Sequence, residues 1–141
     1  MAPTLPREVF LSHANQDRDF VDSVADVMAR HAVPFWYSRS KLLGAQQWHD
    51  EIGEALRRCD WFAVVLSAHS VQSVWVKHEL TYALRQDRFR GRIIPIMREL
   101  CDIERLSWTL PEFQIVDFTQ SFEDGCESLL RVWGILLKTN S

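Results

Sequence analysis

Six apolar residues in a row, WFAVVL at positions 61–66, lie near the middle of the chain between Asp60 and Ser67. An uninterrupted apolar run of this length is typical of a strand that is buried on both faces, as in a parallel sheet covered by helices. The run therefore predicts an α/β protein in which this segment is a central strand.

Four other segments have the composition of strands and lie at 8–12, 33–37, 92–97 and 113–117. Proline has no N–H to donate to a neighbouring strand, so Pro34 suits the start of a strand or a sheet edge. For the same reason, Pro95 indicates that the fourth strand is short or lies near an edge.

Apolar residues at helical spacing separate these strands and predict helices that begin near positions 17, 48, 74 and 122. The first helix is expected to end near His31, the third near Gln86 and the last near Leu137. Asp17 is expected to cap the first helix by accepting backbone N–H bonds. Because strands and helices alternate, we expect a flavodoxin-like three-layer sandwich, with a five-stranded parallel sheet of order 2-1-3-4-5 and helices on both faces. The functional site of such a sheet lies at the carboxyl ends of its strands.

The composition is that of one globular domain: 141 residues, 47% apolar and 25% charged, with a formal net charge of -3. Cys59, Cys101 and Cys126 are odd in number and widely spaced, which argues against a disulfide framework or a zinc site. Residues 1–7 contain no apolar signal sequence, and the apolar runs are far shorter than the roughly 20 residues that a membrane span needs. We expect a soluble, cytoplasmic protein with no metal site, no membrane contact and no direct nucleic-acid partner.

Several nucleotide and hydrolase chemistries are disfavoured by what the strand ends contain. The first strand-to-helix turn has no glycine, so it can form neither a dinucleotide-binding GxGxxG turn nor a P-loop. A response-regulator receiver needs an acidic pair after the first strand and an Asp after the third, where this chain has Ser12-His13 and Leu66-Ser67. No GxSxG sequence is present for a hydrolase nucleophile.

Four segments in chain order form a recognisable set: VFLSH at 9–13, FWY at 35–37 with the loop at 38–47, VVLS at 64–67 with SVWVKHEL at 73–80, and IPI at 94–96. Together they resemble the opening strand, second strand and BB loop, WxxxE block and fourth strand of the Toll/interleukin-1 receptor (TIR) family. The likeness covers roughly residues 7–137, which leaves 1–6 and 138–141 as tails. The chain departs from many members in the loop, where Ser38 replaces Asp and Gly44-Ala45 replaces Pro-Gly.

The resemblance implies a catalytic role for Glu79, which matches the glutamate of the WxxxE motif in TIR enzymes that cleave NAD⁺. Glu79 lies four residues after Trp75 and so shares its face of the third helix. Nicotinamide in NAD⁺ is already a cationic leaving group, and its loss leaves an oxocarbenium-like ribose that one carboxylate can stabilise. The family thus implies an NAD⁺ nucleosidase that uses NAD⁺ as substrate and needs no cofactor. Spacing alone favours a solvated helix residue for Glu79, and the resemblance is what favours the catalytic role.

Substrate-binding roles are predicted for polar residues that follow the first two strands. Ser12 is expected to hydrogen-bond the ribose or phosphate region, and His13 to act as a polar lid. Ser38 and Lys41, together with Arg39, are expected to meet the pyrophosphate. The alternatives are that these are ordinary turn residues and a solvated loop.

Two tryptophans complete the predicted site. Trp48 follows the BB loop, where an aromatic residue can stack on the flat cationic base of the substrate. Trp75 is expected to pack near the site or at a contact between protomers. Core packing is the alternative for both. Ser67 is expected to cap the turn after the third strand.

The resemblance also implies partners. Activity in the family requires self-association into a homo-oligomer or filament, in which a neighbouring protomer's BB loop completes the site. A fused or separate sensor domain and an immune or cell-death effector role are implied as well. The alternative function is a non-enzymatic TIR adaptor or mimic that binds other TIR domains through its BB loop. The WxxxE motif favours the enzyme, because an adaptor has no chemical need for that carboxylate.

Overall fold

The computed structural model describes residues 5–38 and 45–138, and for residues 45–47 it describes only the helical backbone. The strands are β1 (Val9–Ser12), β2 (Phe35–Trp36), β3 (Trp61–Leu66), β4 (Ile93–Met97) and β5 (Val116–Asp117). All neighbouring strands pair in parallel, in the order β2-β1-β3-β4-β5. This confirms the predicted flavodoxin-like sheet.

Four helices cover the sheet: α1 (Arg18–Arg30), α2 (Ala45–Arg58), α3 (Val74–Leu84) and α4 (Phe122–Arg131). The alternation of side chains along β3 assigns the helices to faces. Ala63 and Val65 share a hydrophobic core with α1 and α4, whereas Phe62 and Val64 share the other core with α2 and α3. All six residues of β3 are buried, as the continuous apolar run predicts. Within the described residues, no helix is long and apolar enough to cross a membrane.

Pro95 lies in β4, the second strand from the edge, so the prediction of a position near an edge is confirmed. The backbone C=O of Arg92 accepts a hydrogen bond from β3, and the backbone N–H of Arg98 donates one to β3. Residues 93, 95 and 97 alternate with them, so their backbone groups face β5. β5 pairs only with Ile96 and Met97. Pro95 thus sits where its missing N–H removes no bond from the sheet.

The main differences from the sequence prediction are at element ends. α4 stops at Arg131 instead of near Leu137, because Gly134 has a φ of 72° and the chain turns there. Ile135 N–H donates to Leu130 at 3.0 Å and Gly134 N–H to Arg131 at 3.0 Å, a Schellman closure. α2 begins three residues before Trp48, and β5 begins at Val116 rather than at 113.

Candidate active site

The candidate site lies at the carboxyl ends of β1 and β3, where the connection from β1 to β2 and the connection from β3 to β4 run in opposite directions along the sheet. This crevice is the usual ligand position in open α/β sheets. A pocket opens there, between the loop after β1, the end of β2, α2 and α3. Five predicted site residues line it: His13, Ser38, Trp48, Trp75 and Glu79.

Glu79 belongs to the buried stripe of α3. Ser73 caps the start of the helix, and its hydroxyl accepts a hydrogen bond from Val76 N–H at 3.2 Å. Val76, Leu80 and Ala83 are almost fully buried, and Glu79 takes the remaining position of the same stripe with 8% exposure. Glu79 is therefore not a solvated helix residue. The spacing of these apolar residues was visible in the sequence and would have indicated the burial.

The carboxyl group of Glu79 points toward the end of β1. Ser12 Oγ donates to Glu79 Oε1 at 2.6 Å, and Ser12 itself is 1% exposed. Burial raises the pKa of the Glu79 carboxyl to about 7, while the hydrogen bond from Ser12 acts in the opposite direction. Among the described residues no cation pairs with this carboxyl. Near neutral pH the group is thus divided between its protonated and charged forms.

Two tryptophans form an aromatic wall beside Glu79. The rings of Trp48 and Trp75 meet edge to face, with centroids 4.4 Å apart and an interplanar angle of 73°. Trp48 Nε1 donates to Ser38 Oγ at 2.5 Å, which fixes the indole against the end of the second strand. Trp75 is 39% exposed. Plain core packing therefore does not describe Trp75, which keeps a large apolar surface open to a ligand or a partner.

Trp75 and Glu79 also line a second pocket between α2 and α3. His49 and Tyr82 are among its other walls, so its lining combines aromatic and polar groups. Glu79 consequently lies between two pockets, and the Trp75 side chain is common to both.

His13 is held as a neutral ring. Its Nδ1 lies 3.4 Å from the Leu11 carbonyl, and Arg18 Nε donates to its Nε2 at 3.3 Å. Burial lowers the pKa of His13, and the Arg18 charge adds to this effect. The contacts assign the proton to Nδ1, because Nε2 must accept. His13 thus has a contact at each ring nitrogen and forms part of the pocket wall.

Arg18 was missed by the sequence reasoning. It is the first residue of α1, and its guanidinium reaches across the loop after β1 to donate to the Ser38 carbonyl at 2.7 Å as well as to His13. It joins the ends of β1 and β2 at the rim of the pocket. Only its place directly after a strand-end loop could have indicated this. Lys41 and Arg39, predicted to meet the pyrophosphate, lie outside the described residues.

A second buried carboxylate stands at the same edge of the sheet. Asp17 is 0% exposed, accepts from Ser67 Oγ at 2.6 Å and pairs with Arg98 Nη1 at 2.5 Å. The prediction that Asp17 caps α1 is wrong, since its side chain makes no capping bond. A guanidinium and a hydroxyl offer stronger, charge-assisted bonds than a helix end. Ser67 does cap its turn, because its Oγ accepts from Ser70 N–H at 3.0 Å.

Comparison with known proteins gives the family. The family model described as TIR domain matches residues 9–130. The chain is 24% identical over 109 residues to the 2' cyclic ADP-D-ribose synthase BtTIR of Bacteroides thetaiotaomicron, covering 76% of this chain and 38% of that protein. It is 31% identical over 74 residues to the NAD(+) hydrolase TcpC of Escherichia coli O6:H1, covering 52% of this chain and 24% of that protein. The chain thus matches well under half the length of either curated relative.

Solved structures agree on the fold. The TIR domain of the Toll-related receptor TRR-2 from Hydra magnipapillata superposes with a TM-score of 0.70 at 17% identity, covering 87% of this chain and 94% of that one. The TIR domains of the activated Roq1 resistosome, which recognises the pathogen effector XopQ, superpose with a TM-score of 0.57 at 19% identity, covering 91% and 84%. The family match spans most of the chain, and the protein therefore belongs to the TIR domain family.

Proposed function

We propose that this TIR domain is an NAD⁺ nucleosidase that breaks the bond between nicotinamide and ribose. The observation that carries the proposal is the Glu79 carboxyl, buried at a pocket wall with a hydroxyl donor and no paired cation among the described residues. A buried carboxyl with a raised pKa in a cleft is a typical mark of a functional group. The relatives named as an NAD⁺ hydrolase and a cyclic ADP-ribose synthase support the same substrate class.

The proposed chemistry needs little more than one carboxylate. When the C1′–N bond breaks, its electron pair passes to the pyridinium nitrogen and nicotinamide leaves neutral. The ribose is left as an oxocarbenium ion, and the negative charge of Glu79 stabilises it. Water or a hydroxyl group of the ADP-ribose itself then attacks C1′ and loses a proton, giving a linear or a cyclic product. No cofactor takes part in these steps.

The remaining site residues are proposed to bind and orient NAD⁺. Trp48 and Trp75 offer indole surfaces to the flat cationic base before it leaves. His13 acts as a polar lid, and Ser38 and Lys41 meet the pyrophosphate.

Activation is proposed to depend on self-association. The exposed ring of Trp75 and its place between two pockets suit a surface that a neighbouring protomer covers. A second copy would then complete the site with its BB loop, and a fused or separate sensor domain would control assembly in a cytoplasmic immune or cell-death pathway.

The test is nicotinamide release from NAD⁺, measured by chromatography over a wide range of protein concentration with and without a crowding agent. We expect release to rise more steeply than the protein concentration, and Glu79→Gln to lower it by roughly 100-fold or more. Glu123→Gln is the matched control, because Glu123 is exposed on α4 and α4 covers the opposite face of the sheet.

Two results would contradict the proposal. Equal release by wild type and Glu79→Gln would remove Glu79 from its role. An assembled wild-type protein that releases no nicotinamide would favour the adaptor alternative. Identification of the product distinguishes a hydrolase from a cyclase.

A further inference from the structure

We propose that Ser12 is a positioning residue that acts through Glu79: its hydroxyl group holds the carboxyl at the pocket wall and stabilises the negative charge there. The inference deepens the proposed function and rests on it for its catalytic meaning. It gives Ser12 a role other than direct contact with the substrate.

The position of the hydroxyl is fixed by the sheet. Ser12 is the last residue of β1 and pairs with Val64 of β3, so its backbone is held by the central strands. All four residues of β1 are buried. The Oγ therefore has little freedom, and its distance of 2.6 Å to Glu79 Oε1 is that of a strong O–H to carboxylate bond.

The hydroxyl has one proton, and this proton is committed to Glu79. What remains on Ser12 are lone pairs, and Ser12 is 1% exposed and is not among the residues that line the pocket. The second oxygen of the Glu79 carboxyl, Oε2, is left for the substrate. This arrangement fits a residue that orients the carboxylate of Glu79.

A donor of this kind favours the charged carboxylate over the protonated acid. Burial raises the pKa of Glu79 and the Ser12 bond lowers it, so loss of the bond leaves burial unopposed. The ionisable side chains that share the two pockets with Glu79 are His13 from the loop after β1, His49 and Arg57 from α2, and His78 and Tyr82 from α3. None of them contributes to the shift, which has burial and Ser12 as its causes.

The chain provides a matched control in Ser67. Ser67 follows β3, the strand next to β1, is 0% exposed, and donates to Asp17 Oδ2 at the same distance of 2.6 Å. Ser12→Ala and Ser67→Ala thus remove the same hydroxyl from the same edge of the sheet. Only the first removes a donor from Glu79.

The direct measurement is a ¹³C NMR titration of the glutamate side-chain carboxyl groups, with the Glu79 signal assigned from its loss in Glu79→Gln. We expect its midpoint to rise by on the order of one pH unit in Ser12→Ala and to stay unchanged in Ser67→Ala. Ser12→Thr, which keeps a hydroxyl, should restore the wild-type midpoint. An unchanged Glu79 midpoint in Ser12→Ala would overturn the proposal, whether or not the protein cleaves NAD⁺.

Kinetics provide the second readout. The acidic limb of kcat/KM for NAD⁺ reports the free enzyme's carboxyl, and it should move upward with the NMR midpoint. The kcat/KM of Ser12→Ala is then about tenfold below that of wild type near pH 6 and only slightly below it near pH 9, with KM unaltered. A KM raised equally at all pH values would show a substrate contact instead. If wild type cleaves no NAD⁺ while the NMR midpoint still shifts, the proposed function fails and the Ser12–Glu79 coupling stands.

Discussion

Asp17 and Glu79 are two buried carboxylates at the same edge of one sheet, and each accepts a hydrogen bond from a serine at 2.6 Å. They differ in whether a cation is paired with the carboxylate. Asp17 has the Arg98 guanidinium as a counter-charge. Glu79 has none among the described residues, and burial raises its pKa to about 7. A paired carboxylate can be explained by structure alone, whereas an unpaired one costs stability and calls for a functional reason.

The two carboxylates also differ in what they join. The Asp17 group ties the loop after β1 to the ends of β3 and β4 through Ser67 and Arg98. It fixes the strand ends on which the pocket is built. Glu79 joins only α3 to β1, and its carboxyl faces the pocket. Asp17 therefore stabilises the strand ends, whereas Glu79 is a side chain that those strand ends position.

Glu79→Gln should sharpen this contrast most, because it removes the unpaired charge and keeps the shape. The pKa of Glu79 in the folded protein lies above its ordinary value of 4.5, so the folded protein binds the proton more tightly than the unfolded chain. Proton binding by Glu79 therefore stabilises the folded protein at low pH, and this contribution is lost as the pH rises toward about 7. We expect Glu79→Gln to match wild type near pH 4 and to exceed its unfolding free energy by about 3 kcal/mol above pH 7.

Urea unfolding across pH 4 to 9 measures this difference. The exposed Glu123→Gln control removes an acidic side chain from the first turn of α4, so it should change the unfolding free energy by less than about 1 kcal/mol. Parallel curves for wild type and Glu79→Gln would mean that the buried carboxyl carries no uncompensated charge. A variant that gains stability and loses nicotinamide release together would show the trade-off expected at an active site.

Arg98→Ala should have the opposite effect, because it leaves Asp17 buried with only Ser67 as a partner. Breaking a buried ion pair from one side costs several kcal/mol, and the 34% exposure of the Arg98 side chain reduces this. We expect a loss of about 2 to 3 kcal/mol in urea unfolding at pH 7.

Two further variants test whether that loss of stability comes from the unpaired charge of Asp17. Arg105→Ala, an exposed arginine of the same segment, should change stability by less than about 0.5 kcal/mol. Adding Asp17→Asn to Arg98→Ala should recover part of the loss, since the buried charge is then gone. No recovery would mean that the packing of Arg98 over the Phe20 ring, at 5.3 Å, accounts for the effect instead.

The same pair of carboxylates shows how far the sequence leads. The sheet order and the two helical layers could be predicted because apolar runs and helical spacing are local patterns that the core uses directly. The ion pair of Asp17 could not be predicted, because local sequence rules make Asp17 a helix cap and its partner Arg98 lies 81 residues away. Tertiary contacts with a full charge override capping, and no local pattern encodes them.

Glu79 was predicted as the catalytic residue from the resemblance of its motif, and its catalytic role stays a prediction. Its burial was implicit in the spacing of Val76, Leu80 and Ala83, but the bond to Ser12 spans 67 residues and depends on how α3 rests against β1. The same holds for Arg18, whose partners at the pocket rim are set by the loop after β1.

The smallest effect expected is the difference between the two serines in stability. Ser67→Ala removes one bond to a carboxylate that keeps Arg98, together with the cap on Ser70 N–H, so we expect a loss of about 1 to 2 kcal/mol. Ser12→Ala raises the folded-state pKa of Glu79 further above the unfolded value, so its loss should be about 1 kcal/mol greater at pH 8.5, where the carboxyl is charged, than at pH 4.5, where it is protonated. Urea unfolding of both variants at the two pH values measures this. If the loss in Ser12→Ala were the same at both pH values, Ser12 would bind the acid and the carboxylate equally well, and the two carboxylates would differ only in the arginine beside one of them.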